Sequence, residues 1–411
     1  MKSTLSLFFL SYLRFFARLQ LAKIKLILHL QRKNMDIIGV TGSAGKSSTV
    51  RAISTVLSPH FATKNTSESN SESGIPLNIL GLSIKNYSPI NWIFIFFATP
   101  FSLIFNWKIY QIYIVEMGID SPNPPKNMDY LLSIIRPNIA VFLNVNSVHA
   151  QFFSSLDQIA QEKTKLINSL PQTGYAFINL SDPLIQKYVK TKAKIIPIKK
   201  QPFKLKKKFP PVYQISFNTA LQIASLFQIS STQAIHSLNL HFNLPPGRST
   251  ILPGLKNNTI IDSSYNSSPT ACLAMLDFLS TFPAPRLAVL GDMRELGKSS
   301  PLSHRQIYQK ALKTSDTIIS VGPETKKYFG PKAIKFDFWW QASDYLQCHP
   351  APAGSTILIK GSQNTIYLEE LVKSLLKNPS DSKKLCRQSP YWLKTKQNFR
   401  LRNSPAPPLL G

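Results

Sequence analysis

The densest chemistry in this sequence lies in Asp36-Ile-Ile-Gly-Val-Thr-Gly-Ser-Ala-Gly-Lys-Ser-Ser-Thr49. Ile37, Ile38, Val40 and Thr41 make a short β-prone run, and Val50, Ile53 and Leu57 recur at helical spacing after Ser47. The small residues between them predict a turn from strand to helix. Such a turn aims backbone N–H groups and a helix N-terminus at one point, where a polyphosphate finds open donors and partial positive charge. Gly42, Gly45, Lys46, Ser47 and Ser48 are therefore the candidate phosphate-binding residues. Lys46 would reach the outer phosphates, and the Ser47 hydroxyl would sit on Mg²⁺. The generic phosphate-loop spacing asks for glycine where Val40 stands, so the strict consensus is not met.

Three further groups could join this chemistry. Residues 110–115 alternate toward a strand that ends on Glu116, and a carboxylate at a strand's carboxyl end, in a sheet that carries the phosphate loop, can hold a divalent cation. A second apolar strand, 139–143, runs into Asn144-Val-Asn-Ser-Val-His149, and a following helix brings Glu162 and Lys163. Taken alone, His149 also reads as a core or loop histidine and Lys163 as a solvated helix lysine.

The pattern Gly39-x-Thr41-Gly42-x-x-Gly45-Lys46-Ser47 resembles the nucleotide loop of the Mur ligases, which build the peptide of bacterial cell walls. The resemblance covers about residues 36–378. It is most specific in Ile261-Asp262-Ser-Ser-Tyr265-Asn266-Ser-Ser-Pro269 and Val289-Leu-Gly291-Asp292-Met293-Arg-Glu295-Leu-Gly297, which look like the branch that adds D-alanyl-D-alanine. It implies ATP and Mg²⁺, with Ser47, Glu116, His149 and a carbamylated Lys163 around the metal, and Lys46, His149 and Lys163 as the catalytic set. It further implies that Asn218, at a helix start, lies beside the nucleotide, that Asn266 contacts adenine, and that Arg248 and Asp262 reach phosphates or ribose. Two positions depart from the family pattern: Gln151 and Lys165 stand where glutamates are usual. In family enzymes an amino-terminal domain grips the UDP end of the substrate, and here 34 apolar and basic residues occupy that place.

These residues need a scaffold, and 411 residues suffice for two or three domains. The expected fold is α/β: a P-loop ATPase central domain with a mostly parallel sheet, then a Rossmann-like α/β domain. Residues 1–34 read as an apolar and basic helical segment, 35–244 as the central domain, 245–385 as the carboxyl-terminal domain and 386–411 as a basic, proline-rich tail. Pro245-Pro-Gly247 marks the boundary. Strands are expected at 287–290, 317–321 and 356–360, with helices near 302–313, 340–346 and 364–377, and no GxGxxG accompanies them.

Composition narrows the function class. Three cysteines without a CxxC point to a reducing compartment, and the reading is cytoplasmic. A net charge of +28 suits anionic partners, yet no nucleic-acid module is recognisable, and the basic run 199–208 reads as a solvated face. Nucleic acid is not expected. Residues 3–30 admit two readings: an amphipathic helix on the inner face of the plasma membrane, making peripheral contact through residues 1–33, or a helix packed on the core. Between Lys85 and Lys108 lie 22 uncharged residues, expected as a buried or membrane-touching helix because Pro89 and Pro100 interrupt them.

The expected activity is an ATP-dependent, amide-forming ligase acting through an acyl phosphate on a small-molecule peptidoglycan precursor and an amino acid or dipeptide, most simply D-alanyl-D-alanine. Three alternatives stand beside it: a related ligase for a lipid-linked precursor, a folylpolyglutamate synthase, whose architecture is shared but whose signatures differ, and an ATP-binding scaffold.

Overall fold

β-Branched runs flanked by glycine and proline alternate with helical periodicities throughout, and the computed structural model arranges them as two α/β units. It describes residues 2–66, 71–84, 89–146, 152–363 and 365–404, without the side chains of 2–6. One unit comprises Met1–Lys208 and Val212–Phe242, the other Phe209–Pro211 and Asn243–Gly411.

In the first unit the order is α1 (Lys2–Leu30), β1 (Asp36–Thr41), α2 (Lys46–Leu57), β2 (Thr63–Asn65), α3 (Gly74–Leu80), α4 (Pro89–Phe105) and β3 (Ile112–Glu116). There follow α5 (Met128–Ile134), β4 (Ile139–Phe142), α6 (Leu156–Asn168), β5 (Tyr175–Ile178), α7 (Pro183–Tyr188), β6 (Lys194–Pro197), α8 (Gln214–Leu226) and α9 (Ser231–His241). The six strands form one parallel sheet in the order β2-β3-β1-β4-β5-β6. Parallel strands need both faces covered. On one face Ile37, Tyr113, Val115, Ala140 and Phe142 share a core with Leu21, Ile24 and Leu28 of α1 and with Leu131 and Leu166. The alternate residues Ile38, Val40, Ile114 and Val141 are equally buried on the other face, where α2 packs on β1 and β3.

α1 falls within the first unit. Leu13, Ala17, Leu21, Ile24 and Leu28 recur at helical spacing and are buried against the unit, because this stripe fits the apolar surface left by α3, α4 and α5. α4 lies alongside α1. Pro100 inside it removes the N–H that would bond the Phe96 carbonyl, and the Tyr12 hydroxyl supplies that bond at 2.9 Å. Lys23 donates to the carbonyls of Leu103 and Asn106, capping the carboxyl end of α4. Among the described residues no helix is long and apolar enough to cross a membrane.

The second unit runs β7 (Thr250–Pro253), β8 (Thr259–Ser263), α10 (Pro269–Ser280), β9 (Arg286–Gly291), α11 (Ser300–Thr314), β10 (Thr317–Val321) and α12 (Pro323–Tyr328). It continues with β11 (Ala333–Phe336), α13 (Trp339–Cys348), β12 (Thr356–Lys360), α14 (Leu368–Leu375) and α15 (Pro390–Asn403). The sheet order is β11-β10-β9-β12-β8-β7, parallel except for the antiparallel β7–β8 pair. Successive side chains of β9 enter opposite cores: Leu287 and Val289 meet α13 and α14, while Ala288 and Leu290 meet α10 and α11. Residues 386–404, read as tail, are built into this unit. Phe399 packs against Trp340 and Tyr367, and Lys396 is buried in ion pairs with Glu369 and Glu370.

Candidate functional site

The carboxyl ends of three adjacent strands build the candidate site of the first unit. β1 lies between β3 and β4, with Val40 in register with Glu116 and Thr41 with Phe142, so the turn after β1, the Glu116 carboxylate and the loop after Phe142 arrive at one level. The turn needs its glycines. Gly45 has φ +83° and Gly42 φ +151°, conformations that side chains disfavour, and a Cβ on Gly42 would meet the Cβ of Leu143 at 3.0 Å.

Lys46 and Ser47 open α2. The Ser47 hydroxyl donates to Glu116 Oε2 at 2.7 Å, and the Glu116 N–H donates to Thr66 Oγ1 at 2.7 Å. Hydroxyl and carboxylate are thus two oxygen donors held side by side, of the kind a magnesium ion takes. Lys46 Nζ lies 3.0 Å from the Gly42 carbonyl, and Lys163 Nζ, coming from α6, lies 3.3 Å from the same oxygen. Burial lowers the pKa of both lysines. Lys163 is pushed down to about 7 by desolvation first and by the Lys46 charge second, with Asp120, Glu116 and Glu162 opposing. For Lys46, desolvation outweighs the charges of Glu116 and Asp120.

Glu162 turns away from this point. Its carboxylate accepts the Met128 N–H at the start of α5 and pairs with Lys165, which also pairs with Asp129. The unusual Lys165 is therefore an ion-pair partner at the surface. His149 and Gln151 lie outside the described residues. Among the described residues no group of three or more His, Cys, Asp or Glu side chains is gathered.

The loop that leads toward His149 is braced from several directions. Asn144 bonds Ala44 through both ends of its side chain, at 2.9 and 3.1 Å, and Ser43 Oγ bonds Asn146. Asn179 donates to the Leu143 carbonyl, and Asp182 accepts the Val145 N–H at 2.7 Å while capping α7. Asn218 is buried one turn inside α8, which begins at Gln214 rather than beside it, because residues 214–217 already carry helical geometry onto α2 through Ser216 and Thr49. Its Oδ1 accepts the Gln201 N–H.

In the second unit the turn after β8 carries Asp262 and Asn266. Asp262 is fully buried; its Oδ1 accepts the Ser264 N–H and hydroxyl, while Oδ2 has no partner among the described residues. Desolvation raises its pKa to about 6. Asn266 is exposed, its Oδ1 accepting from Ser267 N–H and Ser362. The Arg248 guanidinium lies over the Tyr265 ring at 4.4 Å. Two residues outside the expected site set hold this turn, Lys360 from a stretch that fits the family resemblance and Arg387 from a segment in which no site residue was singled out. Lys360, buried at the end of β12, donates to the Asn266 carbonyl, and Arg387 donates to the carbonyls of Ser264 and Tyr265 and bidentately to Glu369. Arg387 was hidden because it lies in a segment read as a basic, proline-rich tail. Asp120 was missed in the first unit, although a carboxylate four residues beyond Glu116 was visible.

Comparison with known proteins agrees with this architecture. Residues 40–242 match the Mur ligase middle domain, and residues 247–363 match the Mur ligase, glutamate ligase domain. The UDP-N-acetylmuramoyl-tripeptide--D-alanyl-D-alanine ligase of Buchnera aphidicola subsp. Baizongia pistaciae is 27% identical over 325 residues, 72% of this chain and 65% of that protein. The ligase of the same name from Bacillus subtilis is 26% identical over 85% of this chain and 78% of its own length. In structure, the MurF ligase from Thermotoga maritima in complex with ADP aligns with a TM-score of 0.69 at 21% identity, covering 89% of this chain and 83% of that one. Two family domains matched in sequence order, on the fold described above, place the chain among them: it belongs to the Mur ligase family.

Proposed function

We propose that this chain is an ATP-dependent ligase of peptidoglycan precursor synthesis that joins D-alanyl-D-alanine to a muramoyl peptide. The observation that carries this reading is the meeting of the Ser47–Glu116 pair with Lys46 and Lys163 at the carboxyl ends of β1 and β3, in a chain of this family. The substrate carboxylate attacks the γ-phosphorus of ATP; ADP departs and an acyl phosphate remains. The incoming amine then attacks the acyl carbon, loses a proton and displaces inorganic phosphate. Lys46 and the N–H groups of the Gly42–Lys46 turn bind and neutralise the phosphates as they carry more charge, so positioning and electrostatics supply most of the rate.

Ser47, Glu116, His149 and a carbamylated Lys163 would hold Mg²⁺, which draws charge from the transferred phosphoryl group. Gly42, Gly45 and Ser48 complete the phosphate cradle, while Asn218, Arg248, Asp262 and Asn266 are proposed for the remainder of the nucleotide. The domain assignment proposed is 35–244 for nucleotide chemistry and 245–385 for the second domain, to which residues 386–404 are packed. Residues 1–33 are proposed to touch the inner face of the plasma membrane, and the exposed apolar residues of α1 favour a second reading in which the acceptor is lipid-linked.

Release of phosphate from ATP, screened over UDP-linked and lipid-linked muramoyl peptides with D-alanyl-D-alanine or single amino acids, tests both. Release that requires acceptor and amine together is expected; none with any pair would overturn the ligase reading.

A further inference from the structure

The two apolar helices that flank each other in the first unit do not use their apolar surface equally. α1 turns its Leu13, Ala17, Leu21, Ile24 and Leu28 stripe into the core, yet α4 buries only Ile95 and Thr99 completely. Ile93, Phe94, Phe97, Phe101, Ile104 and Phe105 are each more than half exposed. Their spacing of one, three and four residues places them on one face of α4, directed at solvent. A soluble helix normally has the opposite polarity.

The exposed face continues onto α1. Phe9, Tyr12, Phe16 and Lys23 are among the α1 residues that engage α4 or the Trp107 beyond it. Phe8, Phe15, Leu19 and Leu26 are exposed, and each stands three or four residues from one of those. They border the seam between the helices, so one apolar surface spans both. Arg18 and Lys25 are exposed farther round α1. Residues 1–35 and 73–115 contain no Asp or Glu, so this surface has cations at its margins and no acidic group from either helix or its connections.

We infer that α4 is a monotopic membrane-docking element: its Phe-rich face inserts into the headgroup region of an anionic bilayer, with the cations of α1 against the lipid phosphates. Charge selects this occupant. A second copy of a chain with net charge +28 would bring its own cations to the seam, whereas an anionic leaflet complements them. Geometry selects the depth. At 17 residues α4 is about 25 Å long, and it is fastened along its inner side by Ser102 and Asn106 to the Leu80 carbonyl and by Lys23 at its end, so it can offer a flank but not cross. An in-plane helix of this kind binds through buried apolar area plus attraction to anionic lipid. The inference deepens the membrane contact proposed for residues 1–33, moving the inserted surface to α4, and it does not depend on the ligase reading.

The test is co-sedimentation of the full chain with phosphatidylcholine vesicles with and without phosphatidylglycerol, repeated for F97E/F101E on α4 and for F15E/L19E on α1. The expected result is binding to the anionic vesicles, weakened by salt and lowered at least about tenfold by F97E/F101E. Quenching of Trp107 by bromine-labelled lipid, lost in Trp107→Phe, is expected as a direct report of insertion at the end of α4. A wild-type chain that stays in the supernatant would overturn both membrane readings. Undiminished binding of F97E/F101E, with loss only in F15E/L19E, would overturn the α4 assignment and leave the α1 contact standing. F97E/F101E lies far in sequence from the phosphate loop, so its acceptor-dependent phosphate release separates a failure of docking from a failure of the ligase reading.

Discussion

Lys46 and Lys163 share one acceptor, the carbonyl oxygen of Gly42, at 3.0 and 3.3 Å. Two ammonium groups converging on one carbonyl in a buried place repel each other, and both are destabilised in the charged form. The arrangement would ease if phosphate charge met Lys46 and if Lys163 carried the carbamate proposed for it. It is the physical counterpart of the roles proposed for the two residues.

Replacing Lys46 removes the cation proposed to face the phosphates. Lys46→Ala is expected to lower turnover by about 100-fold or more, as removal of a central electrostatic donor does, while the circular dichroism spectrum is unchanged. Steady-state phosphate release decides the matter, and wild-type turnover would remove Lys46 from the mechanism.

Lys163→Ala is expected to be inactive and to regain part of its activity in formate or acetate, small carboxylates able to occupy the place of the carbamate. A variant that is fully active without them would make Lys163 a structural residue.

Asp262 gives a pH signature in the second unit. Its carboxyl is raised from 3.8 to about 6, so the folded state holds the proton more tightly than the unfolded chain. The group's favourable contribution is complete below pH 3.8 and is lost as pH rises through 6, a span of roughly 2–3 kcal/mol at 1.36 kcal/mol per unit. Asp262→Asn should lack this loss, so the difference in Tm between variant and wild type should move in favour of the variant from pH 4 to pH 7. A constant difference across that window would contradict the burial argument.

Arg387 and Glu369 make a bidentate pair with both side chains nearly inaccessible. Arg387→Met leaves Glu369 with Lys396 alone, at 3.5 Å, and unbinds the carbonyls of Ser264 and Tyr265. A loss of about 3 kcal/mol is expected from denaturant unfolding of the second unit, together with a weaker nucleotide affinity if the Asp262–Asn266 turn serves the nucleotide. Unchanged stability would show that the pair carries no net weight.

Much of this protein was readable without coordinates because its local rules are short-range. A β-branched run followed by Gly42-x-x-Gly45-Lys46-Ser47 dictates strand, turn and helix from neighbours alone, and the strands at 317–321 and 356–360 appear where the apolar runs lie. The carboxylate at the end of β3 was legible for the same reason. What the sequence could not specify is which surfaces meet. The uncharged stretch between Lys85 and Lys108 has apolar residues on every side, so its periodicity carries no direction; only packing against α1 and α3 decides that Ile95 points in and Phe97 out. Residues 386–404 look like a charged tail until Lys396 and Arg387 find Glu370 and Glu369, and Lys163 looks like a surface lysine until α6 lays it on a carbonyl 121 residues away. Burial and ion pairing are sums over distant neighbours, and a one-dimensional chain does not contain those distances until it is folded.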